Sequence, residues 1–242
     1  MVTFTSAKGK YAYSDGSYKI TNNAWGAGKL VEGSDYSMAV TFDPNNFQAG
    51  ALFAWKFPKS VGGVYAYPHV EYLGKISEIN SVEVAKIEDW SASFNVDLTN
   101  KVDSTVAFDL WFNSKPNGAW ATTNAELLIE VVPASAGKPN QPYFISGLGF
   151  TDATVHVSNM SAAGANWKFI DVKLRKPLMS GTISISDIVK GLIERGEMTG
   201  REYLGSLQFG SEIHGGTGGL KINSLRYDWK QVSLSRGAAD SK

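Results

Sequence analysis

Ala125-Glu126-Leu127-Leu128-Ile129-Glu130-Val131 carries the pattern on which the fold reading turns. Side chains of a strand alternate between faces, so Glu126, Leu128 and Glu130 share one side and Leu127, Ile129 and Val131 the other. An acid at the start of so apolar a strand is unusual. It marks either an edge strand with a solvated polar face or a sheet whose second face holds carboxylates for chemistry.

Working outward, short alternating or β-branched runs recur on both sides. They are Tyr36–Phe42, Ala49–Phe57, Val82–Ile87, Ser91–Leu98, Ser104–Phe112, Thr154–Val157, Lys168–Leu174, Tyr203–Phe209 and Leu220–Lys230, separated by Gly, Asn, Asp, Ser and Pro clusters. Strands at this spacing predict an all-β sandwich or barrel of antiparallel sheets. Gly62-Gly63 and the run Gly215-Gly216-Thr217-Gly218-Gly219 are expected to supply positive φ for tight connections. One segment departs from the pattern. Ser184-Ile185-Ser186-Asp187 has capping-box form, Ile188, Val189, Leu192 and Ile193 make one stripe, and Gly196 is a stop signal, which predicts a single helix packed outside one sheet.

The chain of 242 residues is expected to form one domain over residues 1–235, with 236–242 as a flexible tail. With 23 basic and 23 acidic residues it has no net field to draw nucleic acid or anionic lipid. No apolar run approaches the roughly 18 residues of a membrane helix. A neutral polymer is the natural partner and a monomer the expected state. Cysteine is absent, which excludes disulfides and thiolate chemistry. His69, His156 and His214 are scattered without metal-ligand spacing, so no metal site is expected. Seven Trp and ten Tyr exceed what a Val/Ile/Leu/Phe core uses, and rings on an open sheet face suit the C–H faces of sugars.

Sugar-bond hydrolysis needs two carboxyl groups flanking one bond. Glu126 is one candidate. Glu212 is the other, in Leu207-Gln208-Phe209-Gly210-Ser211-Glu212-Ile213-His214, where Gln208, Gly210, Glu212 and His214 share a face. Gly210 beside it would let a ligand approach the backbone. Of two close carboxyls one keeps its proton and donates it, while the other attacks. Asp109, in Phe108-Asp109-Leu110-Trp111, sits on the preceding strand, where it either orients a catalytic carboxylate or is an exposed strand acid.

These residues resemble glycoside hydrolase family 12. Glu126-Leu127-Leu128-Ile129 is similar to the family's Glu-Ile-Met-Ile strand, which carries the nucleophile, and Gln208 to Gly216 resembles its Gln-x-Gly-x-Glu-x-x-x-Gly segment, which carries the acid/base. Asn22-Asn23-Ala24-Trp25-Gly26 resembles the Asn-x-Trp-Gly segment whose Trp stacks on a distal sugar. Phe53-Ala54-Trp55-Lys56, Ala66-Tyr67-Pro68 and Asp109-Leu110-Trp111 are similar to further family segments, in the same order across residues 18–229. The resemblance implies a jelly roll of two curved antiparallel sheets with one α-helix and an open cleft. It implies retaining endo-hydrolysis of β-1,4-linked glucans (cellulose, mixed-linkage β-glucan or xyloglucan) outside the cell, without a cofactor. Glu126 would be the nucleophile, Glu212 the acid/base and Asp109 its neighbour. Trp25, Trp55, Tyr67 and Trp111 would stack on sugar, and Asn23 and Gln208 would hydrogen-bond it. The family's Met becomes Leu128 and its next Trp becomes Glu130, a third acid that either perturbs both catalytic groups or is turned away by a bulge. Between Val132 and Pro177 no segment matches the family's Trp-bearing strand. A carbohydrate-binding jelly roll without catalysis, and a xylanase of the same clan, are the competing readings.

Overall fold

The computed structural model describes residues 1–59, 62–74, 76–99, 103–134 and 153–231. The expected tail 236–242 lies outside them. Among the described residues there are fourteen strands: β1 (Val2–Phe4), β2 (Lys10–Ala12), β3 (Tyr18–Thr21), β4 (Ser37–Phe42), β5 (Ala51–Phe57), β6 (His69–Tyr72), β7 (Ile87–Thr99), β8 (Ser104–Asn113), β9 (Thr123–Val132), β10 (Ala153–Ala162), β11 (Ala165–Leu174), β12 (Ser180–Ser184), β13 (Tyr203–Ile213) and β14 (Gly216–Gln231). They form a six-stranded sheet, β1-β4-β5-β14-β7-β12, and an eight-stranded sheet, β10-β11-β9-β8-β13-β6-β3-β2. This is the expected jelly-roll sandwich. Among the described strands pairing is antiparallel with one exception, β9 beside β11, which run parallel.

Alternation decides what lies between the sheets. From the six-stranded sheet Phe53, Trp55, Phe57, Phe94, Val96, Leu220 and Ile222 point inward, and from the eight-stranded sheet Phe108, Leu110, Phe112, Leu127, Ile129, Ile170, Val172, Leu207 and Phe209 meet them. Rings interlock there, with Phe108 and Phe209 stacked at 4.2 Å. Apolar area removed from water at about 25 cal/mol per Å² holds the layers together. The outward residues of β8, β9, β11 and β13 are left for other work.

The expected helix is α2 (Ile185–Glu194); a four-residue turn, α1 (Ile76–Ile79), precedes it in the chain. Ser184 caps α2 by accepting from the Asp187 N–H at 3.2 Å, Gly196 ends it at φ 75°, and Ile185, Ile188, Val189 and Leu192 are buried. One local expectation fails, and that for the glycines holds in part, with Gly62 and Gly63 at positive φ. Val82–Ile87 is mostly a 3-10 turn, Val84–Lys86, with the strand starting at Ile87. Of the glycines after Glu212, Gly216 has positive φ, but Gly218 and Gly219 lie in β14, paired with Trp55 and Ala54.

Candidate active site

Residues opposite one another across neighbouring strands define the outer face of the eight-stranded sheet. Asp171 on β11 lies beside Leu128 on β9, which lies beside Asp109 on β8, beside Gln208 on β13, beside Glu71 on β6. One step along, Phe169, Glu126 and Trp111 line up; one step the other way, Lys173, Glu130, Ala107 and Gly210 do. Glu126, Glu212 and Asp109 therefore share this face, turned away from the core, as the alternation predicted.

Glu126 is half-buried and its Oε2 accepts a hydrogen bond from the Trp167 indole N–H at 2.6 Å. Burial raises its carboxyl from 4.5 to about 7, against the pull of the Trp167 bond, and the Glu212 charge adds to the rise. Glu212 is also raised to about 7, by burial and then by the charge of Asp171, with Lys173 opposing. Each term follows from the cost of holding an ion in a poorly solvated place beside like charge. Asp109 is pushed well above the usual carboxylate range by burial and by Glu126. Its Oδ2 accepts from the Trp111 indole N–H at 2.9 Å, so among the described contacts its partner is an indole rather than a catalytic carboxylate.

Three indoles stand at one side of this group. Trp111, Trp120 and Trp167 lie with ring centroids 5.3 to 5.5 Å apart in all three pairings. Trp111 was anticipated; Trp120 and Trp167 were not. Trp167 owes its place to the parallel pairing of β11 with β9, which sets Phe169 beside Glu126 and Trp167 one outward step away. Trp120, 43% exposed, starts the 3-10 turn Trp120–Thr122 that leads into β9.

The other expected substrate residues divide. Trp25 is 66% exposed, on a loop pinned where Gly26 N–H donates to the Tyr65 carbonyl at 3.0 Å, and its ring is open to a ligand. Asn23 is half-buried, its carbonyl accepting from Tyr67 N–H at 2.8 Å. Gln208 is half-buried on the carboxylate face and donates to Ser206 Oγ at 3.2 Å. Leu128 is buried between Asp171 and Asp109, where it keeps water from both. Tyr67 reaches the carboxylates but presents no ring. It is buried, its hydroxyl donates to the Ala107 carbonyl at 3.0 Å, and it packs on His69 at 5.2 Å. Burial and then the charges of Asp109, Glu212 and Glu126 push its phenol up.

Trp55 is a correction. It belongs to β5 of the six-stranded sheet, 3% exposed, and packs in the core between the sheets. The reading of Gly210 also changes. A Cβ there would lie 2.1 Å from the Pro68 carbonyl oxygen and 2.7 Å from His69 Cα, so the space that Gly210 leaves is filled by the chain entering β6 rather than by a ligand. That chain carries His69, whose Nδ1 lies 2.7 Å from the Tyr67 carbonyl and must donate to it. Burial lowers the His69 imidazole to about 4, leaving it neutral.

Glu130, the third acid, is not turned away. It is 3% exposed, and Lys173 Nζ donates to its Oε1 at 2.6 Å and to Asp171 Oδ2 at 3.1 Å. Asp109 Oδ1, Glu130 Oε2 and Asp171 Oδ1 are buried acceptors with no hydrogen-bond donor among the described residues. Such acceptors are costly unless something donates to them. A hydroxyl-rich ligand or a retained proton meets the need.

No protein-family model matches the chain. Endoglucanase S of Pectobacterium parmentieri is 23% identical over 230 residues, covering 91% of this chain and 85% of that protein. Among solved structures, the family 12 xyloglucanase of Bacillus licheniformis superposes with a TM-score of 0.82 at 18% identity, over 95% of this chain and all of that one. Endoglucanase 3 of Trichoderma harzianum, from family 12, gives 0.78 at 19% identity, over 95% and 97% of the two chains. The catalytic domain of Humicola grisea Cel12A, solved with a thio-cellotetraose, gives 0.75 at 16% over 95% and 99%.

Proposed function

We propose that this chain, which has the fold of the family 12 glycoside hydrolases, is a retaining endo-hydrolase of β-1,4-linked glucans, with Glu126 as nucleophile and Glu212 as general acid/base. One observation carries the reading. Two glutamates share the outer face of one sheet, both raised to about 7, and among the described residues an indole N–H is donated to only one of them.

That asymmetry divides the roles. A hydrogen bond to an ionised carboxylate favours the charge, so Trp167 makes Glu126 the group that gives up its proton first. Glu212 has the Asp171 charge beside it, which favours keeping one. Glu126 then attacks the anomeric carbon while the bond to the leaving oxygen breaks, and that oxygen takes the Glu212 proton. In the second half Glu212 takes a proton from water, the water oxygen bonds the anomeric carbon, and Glu126 is released. Every group that moves belongs to the chain, the sugar or water.

The tryptophan cluster at Glu126 and the exposed ring of Trp25 suit the stacking of successive glucosyl units, and the names of the similar proteins, endoglucanases and xyloglucanases, favour glucans over xylan. A polymer of this kind is met outside the cell, so secretion and action as a monomer complete the proposal. No helix among the described residues is long and apolar enough to cross a membrane. The test is proton NMR of the first product released from mixed-linkage β-glucan or xyloglucan. The β-anomer is expected before mutarotation; an initial α-anomer, or no release from any β-glucan, would refute the proposal.

A further inference from the structure

Beside the two glutamates lies a lysine that the mechanism above does not use. β9 and β11 run parallel, so Lys173 sits directly across from Glu130, and Asp171 lies on the same face one step along. The Glu130 and Asp171 side chains are 4% and 9% exposed, that of Lys173 32%. Nζ of Lys173 reaches both acids, 2.6 Å from Glu130 Oε1 and 3.1 Å from Asp171 Oδ2. Two poorly solvated carboxyls beside one ammonium do not both ionise easily, so one keeps a proton. Glu130, raised to about 8 by burial and then by Asp171, is the group that holds it. The result is one neutral acid, one carboxylate and one ammonium in contact.

A buried ion pair is a poor stabiliser, because desolvation offsets most of its attraction and well-packed apolar side chains would serve the fold as well. Its position suggests another use. By strand register Glu212 lies one step along β13 from the row of Gly210, Ala107, Glu130 and Lys173, on the face that also carries Asp109, Glu126 and Asp171, with Tyr67 and neutral His69 on the segment entering β6. On its own strand side, His214 Nε2 is 4.0 Å from Glu212 Oε2. Lys173 is the amine whose field reaches Glu212 against four carboxyl groups. His156, opposite Asp171 on β10, lends a weaker field to Asp171.

We propose that Lys173, clasped between Glu130 and Asp171, is a positioning residue for the reaction: the two acids hold its ammonium on the face that carries Glu212, so that Glu212 can release its proton in one step and recover it in the next. This rests on the assignment of Glu212 as acid/base. Without the ammonium, Glu212 would hold its proton too tightly to act as a base in the second half-reaction.

The test compares wild type with Lys173→Met, Lys173→Arg and Asp171→Asn. Two readouts are taken: the pH dependence of kcat/KM on a soluble β-glucan, and the titration of Glu212 by NMR of 13C-carboxyl-labelled glutamate. In Lys173→Met the basic limb and the Glu212 titration move up together, by on the order of one pH unit, with kcat reduced more than KM is raised. Lys173→Arg restores both. Asp171→Asn, which keeps the side-chain shape and removes the charge that raises Glu212, moves both down, and it provides the reading if Lys173→Met does not fold. An active enzyme in which the limb and the titration stay in place in Lys173→Met, or failing that in Asp171→Asn, overturns the proposal alone. A wild type inert on every β-glucan, with the Glu212 titration still moving, overturns the assignment on which the proposal depends and its catalytic role with it.

Discussion

The two sheets obey the same alternation, yet their outer faces differ in kind. On the six-stranded sheet the outward residues are solvated. Lys56, Asn95 and Asp97 are exposed, Ser93 and Thr182 share a hydroxyl contact at 2.8 Å, and the Arg226–Asp228 pair is 73% and 52% exposed. Such pairs sit in water and contribute about 1 kcal/mol or less. On the eight-stranded sheet the corresponding positions hold Asp109, Glu126, Glu130, Asp171 and Glu212. Each is driven upward by burial first, and three have an acceptor oxygen that lacks a donor. A stable fold does not need five carboxyl groups in poorly solvated places. Of the two outer sheet faces one bears this cost, and that difference distinguishes a site from a surface.

The largest expected effect breaks the comparison outright. Glu126→Gln and Glu212→Gln should each reduce release of reducing sugar from barley β-glucan about 10³-fold or more, since each removes a group that moves a bond or a proton. Asp228→Asn, on the solvated sheet, should change activity less than about twofold and stability within roughly 0.5 kcal/mol. Melting temperatures of the two glutamine variants should be no lower than wild type, because each relieves a buried carboxyl.

A smaller effect sharpens the roles. Trp167→Phe keeps a ring and removes the N–H that holds Glu126. Loss of a donor to the charged form should raise the Glu126 carboxyl, so the acidic limb of kcat/KM moves to higher pH and the rate at pH 5 falls about 10-fold. An unmoved acidic limb would mean that Trp167 only packs.

The smallest effect concerns the whole face. Glu126 and Glu212, held near 7 in the folded state against 4.5 unfolded, keep protons that the unfolded chain has already released between those values. The folded state binds more protons there, so stability is greatest at the acid end and is lost as pH rises through about 7. His69 acts in the opposite direction. Lowered to about 4 from 6.5, it stays neutral while the unfolded chain takes up a proton, so stability falls as pH drops from 6.5 towards 4. Above about pH 6.5 only the carboxyl groups act, and thermal melts should decline by a few degrees up to pH 8. In Glu212→Gln the decline should be shallower; an equal slope would show that the buried carboxyls do not titrate as described.

Much of this face could be read from residues alone. Glu126 and Glu212 were placed by alternation in β9 and β13, long runs whose inward sides are mostly apolar, with Leu127, Ile129 and Val131 in one and Leu207, Phe209 and Ile213 in the other. The capping serine and apolar stripe located α2 for the same reason, that a local pattern sufficed. Trp55 shows where resemblance outran periodicity. Phe53, Trp55 and Phe57 alternate with Leu52, Ala54 and Lys56, a pattern that already put the ring in the core. Trp167, Asp171 and Lys173 were missed because their meaning depends on which strand lies beside β11 and in which direction. That parallel pairing joins segments about forty residues apart and leaves no mark in either. The short strands β1, β2, β3, β6 and β12 have three to five residues each, too few for a period to declare itself. Gly210 misled because a glycine reports that something comes close without saying whether it is ligand or chain.

The division of labour between the two glutamates can be caught covalently. Incubation with an activated 2-deoxy-2-fluoro-β-cellobioside, followed by proteolysis and mass spectrometry, should find the fluorinated disaccharide esterified to the peptide that contains Glu126, and none in Glu126→Gln. A label on Glu212 or Glu130, or steady turnover with no adduct at all, would contradict the account.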